Sequence, residues 1–206
     1  DYSGTGGDEA WMEKVQHRGQ TGAGDQPATD YGPSGSTLTF NSDLEEVPWN
    51  FGLTTDGLNA NEFDFITVAM NEIIHAMGLG VSHSFVDQVN EAGEFQGTEA
   101  LQVGSSTNPT LQLNEFEDHW DSGTTSPWNG ALQEALLAPG IFRGRRAFPT
   151  KLDRAALRDI GWEEATAGDA NRDRLFNTSD LVHVFQGGLY ESGQLAGWAD
   201  GDWNCD

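Results

Sequence analysis

The sequence predicts an α+β domain built around one central helix, followed by a small loop-helix module. Three observations carry this. In "NEFDFITVAMNEIIHAMGLG" (61–80), Ile66, Ala69, Met70, Ile73, Ala76 and Met77 recur at helical spacing. A second amphipathic stretch, "TKLDRAALRDIGW" (150–162), sets Leu152, Ala155, Ala156, Leu157 and Ile160 on one side. Finally, "GDANRD" at 168–173 recurs as "GDWNCD" at 201–206, a period of 33 residues.

Residues 1–35 are rich in Gly, Asp, Thr and Ser and lack periodicity, so they read as loop. "STLTF" (36–40) alternates polar and apolar residues and reads as a strand. A loop anchored by Trp49 and Phe51 leads to the central helix, which Gly78 and Gly80 stop. Residues 81–130 hold many turn formers and only short apolar runs. "LQEALLAPG" (132–140) reads as a short buried turn or helix end, closed by Pro139-Gly140. The amphipathic helix of 150–162 stops at Gly161 and completes a domain of 36–162. Residues 163–167 are a linker, and 168–206 form the terminal module, whose second copy breaks off at Asp206.

Thirty-three acidic residues against ten basic ones leave a formal charge of −23. Phosphate backbones need a basic patch, so nucleic acid is excluded as an expected partner. An anionic membrane surface is disfavoured for the same reason. No apolar run reaches the roughly 20 residues of a membrane span. The single cysteine, Cys205, cannot form an internal disulfide framework. The chain opens in polar, Gly-rich sequence without an initiator methionine or signal peptide, as a mature or trimmed form would. Such acidity suits a secreted protein that meets calcium or salt, and equally a merely solvated surface.

On a helix, positions i and i+4 lie one above the other, so residues 71 and 75 can face one metal ion. Position 72 lies beside them, where a carboxylate can take a proton from metal-bound water. This is the geometry of the H-E-x-x-H zinc hydrolase signature. Here Glu72 and His75 are in place, but the first histidine is replaced by Asn71. A neutral amide oxygen is a poor zinc ligand. The same pattern also suits an amphipathic core helix with one satisfied histidine.

The helix resembles the active-site helix of secreted bacterial metzincin-type metallopeptidases related to leishmanolysin, in which it reads roughly V-A-x-H-E-I-x-H-A-L-G-F-G. In that branch the third zinc ligand follows a long insert in an H-W pair, matched by His119-Trp120 in "EDHWDSGT". A later E-A-L-M-D-P turn is matched by "QEALLAPG", with Leu137 and Ala138 in place of the methionine and aspartate. The stretch 150–162 resembles the family's closing helix. The resemblance implies zinc held by His75 and His119, with Asn71 a degenerate third position; His83, nearby in "VSHSF", is the candidate alternative donor, and it equally suits a surface loop histidine. It further implies Glu72 as general base and a peptide or protein substrate. The departure at Asn71 implies impaired hydrolysis or a non-catalytic binding role.

In the terminal module, "DANRDRLFNTSD" reads as a twelve-residue calcium loop. Asp169, Asn171, Asp173, Asn177 and Asp180 supply side-chain oxygens at positions 1, 3, 5, 9 and 12, and Leu175 a carbonyl at position 7. "DLVHVF" continues as the exiting helix. Arg174 stands where such loops favour glycine. The module resembles a type I dockerin, which pairs two such repeats and binds a cohesin domain. That resemblance implies Ca2+ as a ligand and a cohesin-like partner read by Thr178 and Ser179.

Overall fold

The computed structural model describes residues 36–104, 107–108, 110–140, 143–162, 164, 166–171, 175–189, 192–194 and 196–203. The N-terminal segment 1–35, Asp173, Arg174, Asn204, Cys205 and Asp206 lie outside the described residues. Helices are mixed with small sheets, an α+β architecture. The chain divides into two compact units between Trp162 and Glu163. Among the described residues no helix is long and apolar enough to cross a membrane.

In the first unit, β1 (Trp49–Asn50) pairs in parallel with β2 (Phe63–Asp64). The central helix α1 (Phe65–Ala76) starts directly after β2 because Asp64 caps it. The buried Asp64 carboxylate accepts from Thr67 N and Oγ1 at 3.0 and 2.7 Å. It also accepts from Arg146 Nη2 at 2.6 Å. Arg146 reaches on to the Gly52 and Leu53 carbonyls, tying the loop after β1 to the start of α1. Gly78 and Gly80 end the helix with φ of 108° and 77°. A Cβ at Gly80 would overlap the Asp118 carbonyl, so that glycine admits the 118–119 segment against the helix end.

The buried side of α1 differs from the apolar stripe read from sequence. Ile73 is 44% exposed, whereas Thr67, Asn71 and Ile74 are buried. Polar side chains occupy this face because each finds a partner: Thr67 on Asp64, Asn71 on the Leu136 carbonyl. Ser36–Phe40 forms no strand. Residues 36–39 are exposed, and the Phe40 ring packs on Trp49 and Phe65 instead of extending a ladder.

Two short helices follow, α2 (His83–Val86) and α3 (Thr98–Gly104). Strands β3 (Thr125–Trp128) and β4 (Ala131–Glu134) form an antiparallel hairpin. Its two-residue turn, Asn129-Gly130, has φ of 44° and 81°, the twist a tight hairpin needs. The stretch read as a buried turn is therefore strand through Glu134 and buried turn from Ala135 to Ala138. The closing helix α4 (Lys151–Asp159) packs against α3 and β3. Thr150 caps it, with Asp153 completing a reciprocal capping box. The core gathers Leu79, Phe85, Phe95, Leu111, Trp120, Leu137, Leu152 and Ile160. Phe85 stacks on Phe95 at 4.7 Å, and Trp120 meets Phe95 edge-on at 5.7 Å.

The second unit is built on α5 (Thr178–Gly187), capped by Asn177 and Asp180 and stopped by left-handed Gly188. A 3-10 turn, Trp198–Asp200, returns to the loop before α5. There Trp198 Nε1 donates to the Asp169 carbonyl at 2.8 Å. Trp203 packs edge-on against Phe176 at 5.8 Å. Leu181, Val182 and Phe185 on α5 are exposed.

Candidate metal centre

His75 sits in the last turn of α1, and His119 lies 44 residues later in the loop before β3. Their Nε2 atoms are 3.1 Å apart, with ring planes at 73°. Each ring is keyed through its other nitrogen. His75 Nδ1 faces the Leu79 carbonyl at 2.9 Å, which can only accept, so that nitrogen carries the proton. His119 Nδ1 donates to Asp118 Oδ1 at 2.7 Å. Both Nε2 atoms are thereby left as the nitrogens that face each other. Two bare lone pairs at that separation repel, and a shared proton or a metal ion between them relieves the repulsion. A carboxylate or carbonyl behind the ring is also what orients ligating histidines in metal sites.

Burial holds the His75 pKa below the usual histidine range, and the neighbouring His119 adds to this; the Leu79 bond, Glu72 and Asp118 oppose it. Lowering favours the neutral, ligating ring. Burial works against ionisation of Asp118, but bonds from His119 and Asn114 outweigh it and hold its carboxyl below the ordinary range. The His119 backbone is fixed by Asn114, whose N–H donates to the His119 carbonyl at 2.9 Å and whose Oδ1 accepts from His119 N.

Asn71 lies one turn before His75 and is 3% exposed. Its Nδ2 donates to the Leu136 carbonyl at 2.8 Å. The position where the signature has a histidine is thus a hydrogen-bonded strut between α1 and the turn after β4. Glu72 is partly exposed, and its charge reaches His75. His83 is the exposed first residue of α2. Among the described residues no three His, Cys, Asp or Glu side chains gather as a metal-holding group. The donor set is two imidazoles, short of the three protein ligands a catalytic zinc takes. The residues present do not fit that group.

Asp153 was not singled out by sequence reasoning, yet it supports the whole site. Its fully buried carboxylate accepts from Trp120 Nε1 (3.0 Å), Leu136 N (2.9 Å), Leu137 N (3.2 Å), Thr150 N (2.7 Å) and Thr150 Oγ1 (2.7 Å). It joins the residue after His119, the turn that holds Asn71, and the start of α4. The Thr150-x-x-Asp153 spacing signals a helix cap. Nothing in that spacing signals the three donors from outside the helix. Leu137 is fully buried, and its carbonyl accepts from Trp120 N at 3.1 Å.

In the second unit Asp169 and Asp180 are buried, while Asn171, Leu175, Asn177, Thr178 and Ser179 are exposed. Asp180 accepts from Asn177 N at 2.8 Å and from Asn171 N at 3.3 Å. These backbone bonds, that of Asn177 foremost, hold its carboxyl below the usual range. Asn177 Oδ1 caps α5 by accepting from Ser179 N at 2.8 Å, and its Nδ2 lies 3.5 Å from the Leu175 carbonyl. No family model, curated protein or solved structure matches the chain.

Proposed function

We propose that this chain is a diverged secreted metallopeptidase-type domain whose peptide-bond hydrolysis is impaired at Asn71. It acts as a polypeptide-binding component tethered by a calcium-binding, dockerin-like tail to a cohesin-like partner. One observation carries this reading. The Asn71 amide is committed to the Leu136 carbonyl, beside a His75–His119 pair that still converges. A site that keeps two imidazoles and uses the third position as a strut lacks the donor count for strong zinc binding.

The test compares the unmodified chain with Asn71→His, using an unfolded protein substrate in the presence of zinc. The unmodified chain should bind the substrate and give no chelator-sensitive cleavage. Asn71→His should bind zinc at least about tenfold more tightly, because a third imidazole joins the pair. Cleavage gained by that variant should vanish on adding Glu72→Ala, which removes the base. Robust chelator-sensitive cleavage by the unmodified chain would overturn the reading. So would failure of the unmodified chain to bind any unfolded polypeptide.

A further inference from the structure

The disagreement with a three-ligand zinc shell has a consequence for which ion the site takes. We propose that His75 and His119 form a two-imidazole site that holds Cu2+ in preference to Zn2+, with its remaining coordination positions open to water. The inference rests on the geometry of the pair and stands whether or not the domain binds polypeptide.

Four observations support it. Both Nε2 atoms are presented as lone-pair donors, because each Nδ1 is engaged behind its ring by Leu79 or Asp118. Metal–nitrogen bonds of about 2.0 Å to atoms 3.1 Å apart subtend roughly 100° at the ion. That is a cis pair, and it excludes the linear arrangement a two-coordinate ion adopts, which needs nitrogens about 4 Å apart at the same bond length. Rigid elements hold the two rings: α1 on one side, and on the other a segment pinned by Asn114 and admitted by Gly80. No third His, Cys, Asp or Glu joins them among the described residues.

The two ions respond differently to such a donor set. Zn2+ has no preference from its filled d shell, and its affinity follows the number of strong protein donors in a tetrahedron. Cu2+ stands at the top of the affinity order for nitrogen donors and favours a tetragonal plane, in which two cis imidazoles fill two corners. Water suffices for the other positions. With no third protein donor for either ion, the order of affinities for nitrogen donors decides, and it favours copper.

The experiment uses the full chain, stripped of metal and held in excess Ca2+ so that the tail oxygens are occupied. Cu2+ alone and Zn2+ alone are titrated against a competing chelator of known affinity. One Cu2+ should bind at least about tenfold more tightly than Zn2+. Its electron paramagnetic resonance spectrum should show coupling to two imidazole nitrogens. His75→Ala and His119→Ala should each abolish this site, with circular dichroism reporting whether the variant is folded. If either variant fails to fold, the coupling pattern of the unmodified protein decides. Zn2+ bound as tightly as Cu2+ would overturn the proposal, as would coupling to one nitrogen or to three. A site that survives loss of either histidine, or disappears in His83→Ala, would also overturn it.

Discussion

At the scale of single residues, Asp153 shows how a buried charge can organise a site through hydrogen bonds. Its two oxygens divide five donors: Trp120 Nε1 and Leu137 N on one, Leu136 N and both Thr150 donors on the other. Asn cannot reproduce this. In either orientation its NH2 would face two or more N–H or O–H donors in a place closed to water. Asp153→Asn should therefore cost about 3 kcal/mol, the penalty of leaving buried donors without an acceptor. Urea unfolding should register this as a lower midpoint with little change of slope. A loss below about 1 kcal/mol would mean the network relaxes, and Asp153 would not be what aligns the turn with His119. Leu137 behaves differently. It has the volume of the methionine expected there, and it fills its place without exposure.

The start of α1 depends on one ion pair at the scale of elements. Asp64 is fully buried and Arg146 nearly so, and together they join β2, α1 and the loop after β1. Burial alone would raise the Asp64 pKa, but bonds from Arg146 and Thr67 outweigh it and lower it. The sign follows: the unfolded chain binds the proton more readily, so this contribution is present above the ordinary aspartate range. It is lost as pH falls through the lowered value. Asp159 acts oppositely. Its carboxyl accepts from Glu99 N and Ala100 N at the start of α3, and burial raises its pKa. Its contribution therefore weakens as pH rises from the ordinary range through the raised value. Arg146→Met should destabilise by about 3–5 kcal/mol near neutral pH, since it strands a buried carboxylate. Its stability should also fall less between pH 5 and 2 than that of the unmodified protein, roughly in proportion to the lost shift. Equal pH slopes for the two proteins would show that Asp64 is not held by Arg146. Much at this scale was legible in the sequence. Helical spacing marked α1 and α4, and glycines marked where α1 ends. The buried face of α1 was not legible, because Thr67 and Asn71 are buried through partners far along the chain, at Ala147 and Leu136. Nor were α2 and α3, whose few turns rest on Ser82 and on the distant Asp159. The approach of His75 and His119 came from their resemblance to a known pattern, since 44 residues separate them.

Across the whole molecule, the excess of carboxylates sets the terms. A formal charge of −23 on 206 residues opposes compactness through self-repulsion, and the opposition is sharpest where acids are brought together. The first unit tolerates it because its core is closed by its own apolar side chains, from Leu79 to Ile160. The second unit has far less to close with. Val184 is buried, but Leu181, Val182 and Phe185 of α5 stay exposed. Its loop is fastened by hydrogen bonds that include Trp198 to Asp169 and Asn177 and Asn171 to Asp180. If calcium binds the Asp169–Asp180 loop as proposed, binding and local folding become one equilibrium. At a calcium concentration about 100-fold above the dissociation constant, the linkage adds about 2.7 kcal/mol to the second unit. Backbone amides of α5 and of the 3-10 turn should then exchange with deuterium roughly 100-fold more slowly than in chelator. Amides of α1 and α4 should exchange at the same rate in both conditions. Slowing spread evenly over both units would assign the calcium effect to general charge screening. Equal exchange of α5 with and without calcium would remove the loop from consideration as a calcium site, leaving Asp180 as a helix cap fixed by the backbone amides of Asn177 and Asn171.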